Sequence, residues 1–278
     1  MNVLNVKQWE ITDPIPTEEN IDKNFILDYT DKLKDYTFVN YNLAESINKI
    51  GIDETQIVIN QIVQVNDPKK LIWTCQHISV NELGFWGGRL FTPHATKSNK
   101  AFCIPHFPVN VGKYVNILDK KNLFSFRGSF DTHNIRRIMA DSLSLHKEKI
   151  VDTGAWHFDN SDKSKNLKSY IEDLESSKII LCPRGTGPST IRLWESLASG
   201  CIPLVISNDY VFPLADKINW QDISIVLKEE HVPAIDHYLR NFDDKKLSKM
   251  QKKGKEVFNK WFSPNSMHHI IYEYLKEE

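Results

Sequence analysis

The sequence predicts an α/β protein of two domains, the second of them a parallel sheet with flanking helices. The chain has 278 residues, which exceeds the roughly 100 to 200 residues of a usual single domain. In its second half, short apolar runs alternate with helical segments of about ten residues. Such alternation indicates right-handed crossover units, and ligands of these sheets bind at the C-terminal ends of the strands.

The charge balance excludes a global attraction to polyanions. Thirty-five Lys and Arg face 36 Asp and Glu, for a formal net charge of -1, so no field draws nucleic acid or an anionic membrane to the chain. We expect no nucleic-acid partner. The Lys-rich stretch from Lys245 to Lys255 is predicted to be the solvated face of a helix.

Cysteine spacing and hydropathy indicate the cellular compartment in which we expect the protein. The four cysteines lie far apart without a C-x-x-C pair, which favours buried, reduced thiols and argues against zinc. The segment from Met1 to Pro14 is polar, and about 18 consecutive apolar residues occur nowhere. We therefore expect a soluble, cytoplasmic protein without a signal peptide or a transmembrane segment.

The N-terminal domain is predicted to span residues 1–115, with a boundary in the weakly patterned stretch from Asn110 to Asn122. Its predicted strands are apolar runs, one of them after a Gly-Gly turn: Tyr36 to Val39, Leu71 to Cys75, Phe85 to Pro93 and Ala101 to Pro105. The run from Gln56 to Val65 fits a strand and a helix equally well, and we leave its type open.

The C-terminal domain is predicted to span residues 116–263. Its predicted strands are Leu123 to Phe126, Ile150 to Thr153, Lys178 to Cys182, Cys201 to Ile206 and Ile223 to Leu227. Its predicted helices are Asn134 to Leu145, Leu167 to Ser176, Ser189 to Ser199, Val232 to Asn241 and Lys245 to Trp261. The last segment, 264–278, is predicted as a helix that could fold back on the first domain.

The loop after the strand that ends at Cys182 predicts a phosphate site. Gly185 allows the backbone to approach a ligand closely, and the free amides of the following helix favour an anion. Arg184 offers a fork of donors suited to phosphate oxygens, while Ser189 and Thr190 can cap the helix or bind phosphate. The loop matches neither the P-loop nor G-x-G-x-x-G, so it does not name a function by itself.

Two residues of the following helix, Arg192 and Glu195, are predicted to project together. A carboxylate one or two turns beyond a phosphate is well placed to accept hydrogen bonds from ribose hydroxyls. The alternative is a capped helix that carries an Arg-Glu pair on its surface.

A second basic element follows the first strand of this domain. Arg127 and Gly128 end that strand, and Arg127 could face the same anion because neighbouring parallel strands end at one edge. Arg136 is predicted to contribute to the nucleotide site, and so is Thr153 at the end of the next strand. Arg136 and Arg137 could instead be solvated helix residues, which we favour for Arg137.

The second half resembles the exostosin-type glycosyltransferases, glycosyltransferase family 47. The matching residues of the stretch IILCPRGTGPSTIRLWESLASGCIPLVISNDYVFP are Cys182, Pro183, Gly185, Ser189, Arg192, Glu195, Gly200, Cys201, Pro203, Ser207 and Pro213. Phe126-Arg127-Gly128 and Ile135-Arg136 resemble further elements of the family. The similarity is convincing from about Leu123 to Val232. Without a membrane anchor, the chain resembles a compact bacterial or viral version.

The resemblance implies a GT-B fold, in which two Rossmann-like domains face a cleft with the donor on the C-terminal domain and the acceptor on the N-terminal domain. It implies an inverting transfer from a uridine-diphosphate sugar to a glycan hydroxyl, through an oxocarbenium-like state. Xylose is a marginal choice of sugar. No D-x-D metal motif occurs, so Arg127, Arg184 and Arg192 are expected to neutralise the leaving diphosphate with no divalent metal and no further cofactor.

Inversion needs a base, expected from the N-terminal domain or the cleft edge. The candidates, with His94 ranked first, are His94, Glu82, His77 and Asp131. Asp131 could instead orient Arg127, and Trp156 could border the uracil or belong to the core.

A rival hypothesis is an exostosin-like subunit that binds a sugar nucleotide or glycan without catalysis. Another nucleotide-using enzyme, such as an epimerase, would need a dinucleotide fingerprint that this sequence lacks.

Overall fold

A computed structural model describes residues 1–6, 16–111, 120–154 and 163–276. The chain divides into two compact units. The first unit comprises Met1–Phe107, Asp209–Leu214 and Pro264–Glu278, and the second comprises Pro108–Asn208 and Ala215–Ser263. The predicted boundary near residue 115 lies outside the described residues.

One short segment falls in a different unit from the one expected. Asp209–Leu214, predicted within the C-terminal domain, belongs to the first unit. Its Tyr210 forms an isolated antiparallel bridge with Thr96, and the Cys103 thiol lies 3.6 Å from the Tyr210 hydroxyl. These contacts join residues distant in sequence, so a linear pattern could not show them.

The first unit contains a five-stranded parallel sheet of order β1-β2-β3-β4-β5. Its strands are β1 (Asn2–Asn5), β2 (Thr37–Asn40), β3 (Leu71–Thr74), β4 (Arg89–Thr92) and β5 (Phe102–Cys103), and its helices are α1 (Pro16–Tyr29), α2 (Leu43–Val65) and α8 (His269–Leu275). All predicted strands of this half are present, while β1 was not predicted. Its four residues alternate too little to stand out from a polar N-terminus.

The undecided run from Gln56 to Val65 is helical, as part of α2. Asn42 caps this helix by accepting from the Glu45 amide at 3.0 Å. Ile59 and Ile62, one turn apart, are buried in the core of the first unit. A three-residue spacing on one buried face is satisfied by a helix, whereas a strand would turn these two residues to opposite faces.

The second unit contains a five-stranded parallel sheet of order β10-β9-β8-β6-β7. Its strands are β6 (Asn122–Arg127), β7 (Ile150–Val151), β8 (Ser177–Pro183), β9 (Ile202–Ile206) and β10 (Ile225–Leu227). Its α-helices are α3 (Asn134–Ser142), α4 (Lys163–Ser176), α5 (Ile191–Ala198), α6 (Ile235–Arg240) and α7 (Asp244–Val257). Together with the first unit, this sheet confirms the prediction of an α/β protein with two Rossmann-like parallel sheets.

The strand order creates a topological switch point. From β6 the chain moves to β7 on one side and then returns to β8 on the other side of β6. In open parallel sheets, the crevice at the carboxyl ends of the strands flanking such a reversal is where ligands bind. The loops that follow β6 and β8 therefore border the expected binding position of this unit.

The lysine-rich helix α7 has an exposed face and a buried face. Lys245, Lys249 and Lys252 of α7 are exposed, while Leu247 and Met250 of the same helix are buried in the core of the second unit. The predicted solvated face is confirmed for these three lysines, whereas Lys255, the last residue of the predicted stretch, is half-buried and donates through Nζ to the Ala198 carbonyl. No helix in the described part of the chain is long and apolar enough to cross a bilayer.

Candidate functional site

The loops after β6 and β8 are tied together by the Arg136 side chain, which comes from α3. Its guanidinium donates to three backbone carbonyls: Ser129 at 2.8 Å, Arg184 at 3.0 Å and Pro183 at 3.4 Å. Arg136 is 8% exposed, so the alternative of a solvated helix residue is wrong for it. The side chain instead fixes the two loops that flank the switch point.

The Arg136 side chain is a buried charge, and its burial changes its pKa. Burial, with the Arg192 guanidinium as the second cause, lowers the pKa of Arg136 to about 9. Arg136 has no carboxylate partner among the residues that the structure describes. The three carbonyl dipoles and the Phe126 ring, whose centroid lies 5.6 Å from the guanidinium carbon, compensate its charge, and a bound anion nearby would favour the protonated form further.

Arg192 at the start of α5 is the second cation, and this residue is half-buried. One of its terminal nitrogens donates to the Arg127 carbonyl at 2.5 Å, and its guanidinium stacks over the Phe126 ring at 4.5 Å. Its Nε and its second terminal nitrogen are buried without a hydrogen-bond partner in the described ranges. Since a guanidinium carries five donors, this side chain retains hydrogen-bonding capacity.

Glycines leave room for these two guanidiniums. A Cβ on Gly128 would lie 2.7 Å from an Arg192 terminal nitrogen, and one on Gly185 would lie 3.1 Å from an Arg136 terminal nitrogen. The Gly128 amide donates to the Val151 carbonyl at 3.0 Å, and the Thr153 amide approaches the Gly128 carbonyl at 3.4 Å. Thr153 therefore continues the β6–β7 pairing beside the site.

Two further arginines, Arg127 and Arg184, have partly exposed side chains. Arg127 pairs through Nε with Asp173 at 2.7 Å, whereas Arg184 lies 3.9 Å from a Glu229 oxygen. The Arg184 side chain is 19% exposed and that of Arg127 18%. Both can therefore reach a ligand from solvent, unlike the buried Arg136.

The expectation that Asp131 orients Arg127 is wrong. Asp131 forms an ion pair with Arg137 on α3, and both side chains are more than half exposed. Asp173 on α4 takes the place expected for Asp131. Arg137 is thus the solvated helix residue that was expected, while Asp131 is its surface partner.

Glu195 is buried, contrary to the alternative of a surface Arg-Glu pair. One carboxylate oxygen accepts from the Tyr170 hydroxyl at 2.6 Å, and the other accepts from the amide and the side chain of Asn110 at 3.0 and 2.8 Å. Glu195 is 2% exposed, and burial raises its pKa. Each oxygen thus already has a partner, so contact with a ribose would require Asn110 or Tyr170 to move.

The start of α5 supplies backbone donors. Thr190 is its N-cap but makes no side-chain cap hydrogen bond, so it does not satisfy the first amides of the helix in the usual way. Ser189 is buried, 8% exposed. The helix start and the four arginines, Arg127, Arg136, Arg184 and Arg192, together favour a negatively charged ligand.

The residues predicted as bases lie in different surroundings. His94 is buried; its Nε2 lies 2.9 Å from the Gln76 carbonyl, and burial lowers its pKa to about 4. Its ring is 5.2 Å from that of His106. Glu82 ends a short 3-10 helix and is exposed, and burial lowers the pKa of His77. Trp156 lies outside the described residues.

Sequence reasoning missed Tyr170, Asp173 and Asn110. Tyr170 and Asp173 lie about one turn apart on α4, a spacing that puts both on one helix face, and this was the available signal. Asn110 carried no local signal, because its role depends on a residue 85 positions away.

The geometry defines a class: an α/β unit with a cluster of arginines at the switch point of a parallel sheet. A family model described as "Exostosin GT47 domain" matches residues 65–242, well over half of the chain. The chain belongs to this family, which confirms the resemblance found in the sequence. The match begins within the first unit and ends within the second.

Relatives share shorter stretches. A protein named "Probable glucuronosyltransferase" from Oryza sativa subsp. japonica is 44% identical over 71 residues, 26% of this chain and 17% of its own length. A "Probable beta-1,4-xylosyltransferase" from Arabidopsis thaliana is 37% identical over 84 residues, 30% of this chain and 20% of its own length. A glycosyltransferase crystal structure from Rickettsia africae superposes with a TM-score of 0.45 and 10% identity, over 99% of this chain and 98% of that one. This chain thus spans a fifth or less of those two plant relatives.

Proposed function

We propose that the protein is a glycosyltransferase that moves a sugar from a UDP-sugar to a hydroxyl of a glycan acceptor, with inversion at the anomeric carbon. The observation that carries the proposal is the pair of arginines at the switch point of the second unit: the buried Arg136 and the half-buried Arg192, whose Nε and one terminal nitrogen are buried. Neither has a carboxylate partner among the described residues, so an anionic ligand offsets an otherwise costly burial of charge. A nucleoside diphosphate supplies that anion.

The chemistry requires stabilisation of the leaving diphosphate. Arg127 and Arg184 are accessible enough to donate to its oxygens, while Arg136 and Arg192 add positive potential from the interior. Preorganised cations of this kind are worth several kcal/mol when charge develops on a leaving group. Within the described part of the second unit no group of three metal-ligating side chains occurs, and we propose that transfer proceeds without a divalent metal.

The acceptor hydroxyl needs a base, and His94 remains the proposed one. Burial lowers the pKa of His94 to about 4, so the imidazole is neutral at neutral pH, and a rise of that pKa on acceptor binding would bring it toward the range that suits a general base. Its Nε2 lies at the Gln76 carbonyl, which fixes that nitrogen as a donor. His94→Gln is expected to lower kcat by about 100-fold or more with little change in the UDP affinity; an unchanged kcat removes His94 from the mechanism.

Glu195 is proposed to hold the ribose after exchange of partners. Its carboxylate already accepts from Asn110, and a ribose hydroxyl offers the same kind of donor. Ligand binding would therefore replace the Asn110 contact and keep the Tyr170 contact. Glu195→Gln retains the side-chain volume but loses acceptor capacity, and we expect a UDP affinity weaker by about tenfold.

The decisive experiment is calorimetric titration with UDP. Arg184→Ala is expected to weaken binding about tenfold or more, because a charge-assisted hydrogen bond is lost. Arg137→Ala is the matched control, since that guanidinium is exposed and pairs only with Asp131 among the described residues. Equal affinities of wild type, Arg184→Ala and Glu195→Gln would overturn the proposed donor site.

The sugar is proposed from the relatives' printed names. Glucuronosyl- and xylosyltransferases occur among them, so UDP-xylose and UDP-glucuronate head the panel of donors. UDP release is measured with each donor, with glycan oligosaccharides as acceptors and with EDTA present and absent. Loss of activity in EDTA that magnesium restores would contradict the metal-independent mechanism.

A binding-only subunit remains the second candidate. The observation that favours it is the burial of His94, which is 7% exposed, because a base must reach its acceptor. The same assay separates the two functions. A binding-only protein binds UDP in the titration but releases none from any donor.

A further inference from the structure

The first unit brings three metal-ligating side chains together where α8 begins beside the end of α1. Asp28 comes from α1, and His268 and His269 precede and begin α8. One ligand atom of each residue lies within 4.8 Å of those of the other two. The sequence argument against zinc considered cysteine spacing, whereas this cluster depends on residues 240 positions apart.

His268 is the buried member of the Asp28–His268–His269 cluster. Its Nε2 lies 2.7 Å from an Asp28 carboxylate oxygen, and the residue is 3% exposed. Its Nδ1 is buried and has no hydrogen-bond partner in the described residues. Asp28 itself is about half exposed, so the cluster opens to solvent on the carboxylate side and an ion can enter there.

His269 is held in place by a second layer of contacts. Its Nδ1 lies 2.7 Å from the Tyr29 hydroxyl, and the Tyr29 ring stacks on Tyr272 with centroids 4.5 Å apart. A metal-binding histidine usually has its other nitrogen fixed by such a partner. Tyr29 therefore holds the imidazole in place through Nδ1.

We propose that Asp28, His268 and His269 form a zinc site that fastens the C-terminal segment to α1. Two imidazoles and a carboxylate are a recurrent donor set for Zn²⁺, with water in the remaining position. Around a tetrahedral ion with bonds near 2.0 to 2.1 Å, ligand atoms stand about 3.3 Å apart. To reach that spacing, Asp28 and His268 need to separate by about 0.6 Å from their present 2.7 Å contact, and the longest separation in the cluster, which is at most 4.8 Å, needs to close by up to about 1.5 Å.

This site is independent of the proposed donor site, which uses residues of the second unit only. Zinc binding and UDP binding are therefore expected to respond to different variants. The prediction that transfer needs no divalent metal concerns the diphosphate and is unaffected by a structural ion in the first unit.

The test uses the full chain after removal of metal by a chelator. Zinc binding to the metal-free chain, measured by titration calorimetry, is expected to give one site with a Kd of about 1 µM or below. The unfolding temperature is expected to rise by several degrees when the site is saturated. Cobalt should bind with visible bands of a tetrahedral ion and no thiolate charge-transfer band, which excludes binding by the buried cysteines.

Two variants decide the outcome. Asp28→Asn and His269→Gln alter partly exposed side chains, so both are expected to fold, and each should weaken zinc binding at least tenfold. His237→Gln, at an exposed histidine on α6, is the matched control and should bind zinc as wild type does. Absence of zinc binding by the wild type at about 50 µM zinc, or equal affinity of both variants and wild type, overturns the site. UDP titration of Asp28→Asn should be unchanged, whichever way the zinc result falls.

Discussion

The Nε atom of Arg136 on α3 donates to the backbone carbonyl of Arg184 at 3.0 Å, across the switch point between β6 and β8. The same guanidinium also holds the loop after β6 through the Ser129 carbonyl. One buried side chain thus sets the distance between two loops that belong to different strands. The position of any ligand bound at this edge depends on it.

Arg136→Lys is expected to lower the free energy of unfolding by about 1 to 3 kcal/mol. Lysine is a point charge without the planar fork, so it cannot bond the three carbonyls together. Urea unfolding measures the loss, and UDP affinity should fall in parallel. Arg137→Lys, at the exposed neighbouring position, should change neither quantity by more than about 0.5 kcal/mol. A stable Arg136→Lys variant with full UDP affinity would contradict the role of this side chain.

Gly128→Ala is expected to displace Arg192. The added methyl group would lie 2.7 Å from a terminal nitrogen of that guanidinium, so the guanidinium must move off the Arg127 carbonyl. We expect a loss of about 1 to 3 kcal/mol in unfolding free energy and weaker UDP binding. Gly84→Ala is the control, because its nearest contacts are 3.8 Å or longer. Identical stabilities of the two variants would contradict the close approach.

The carboxyl pair Glu18 and Asp22 predicts a pH dependence of stability in the first unit. Burial raises the pKa of Glu18 to about 8 and that of Asp22 to about 7, and the Thr74 hydroxyl donates to Asp22 at 2.7 Å. Groups with raised pKa values bind protons more tightly in the folded state. Their stabilisation is complete below about pH 4 and is lost as the pH rises through 7 to 8.

Asp22→Asn should remove part of this dependence, since Asn keeps an acceptor for Thr74 but does not ionise. Relative to wild type, the variant is expected to gain about 1 to 3 kcal/mol in unfolding free energy between pH 5 and pH 8. Urea unfolding across this range measures the difference, and Asp31→Asn at an exposed site of the same region is the control. A pH-independent difference between wild type and Asp22→Asn would show that the carboxyl pair ionises normally.

The four cysteines are free and buried, as predicted for reduced thiols. Burial raises the pKa of Cys103 and of Cys182 to about 12, so little thiolate exists at pH 8. A disulfide-exchange reagent is expected to label none of the four rapidly in the native protein and all four in denaturant. Rapid native labelling of one thiol would reveal local opening around it.

The strands of the second half were predictable because a buried parallel sheet needs continuous apolar runs, and those runs are local in the sequence. The type of the run from Gln56 to Val65 stayed undecided, because its apolar spacing fits both a strand and a helix. Burial of Ile59 and Ile62 selects the helix. Arg184, Arg192 and Gly185 were predicted as site residues from one contiguous segment. Asp173 and Asn110 were not, because their partners lie 46 and 85 positions away.

The sequence by itself determined the α/β class, the strand and helix order of the second half, the buried thiols and the membership of the exostosin family, because these depend on local periodicity and contiguous motifs. Only the tertiary structure decided which charges meet. It paired Asp131 with Arg137 and Arg127 with Asp173, and it buried Glu195 beneath Asn110 and Tyr170. The physical reason is that the cost of burying a charge depends on its neighbours in space. The fold determines which residues these neighbours are.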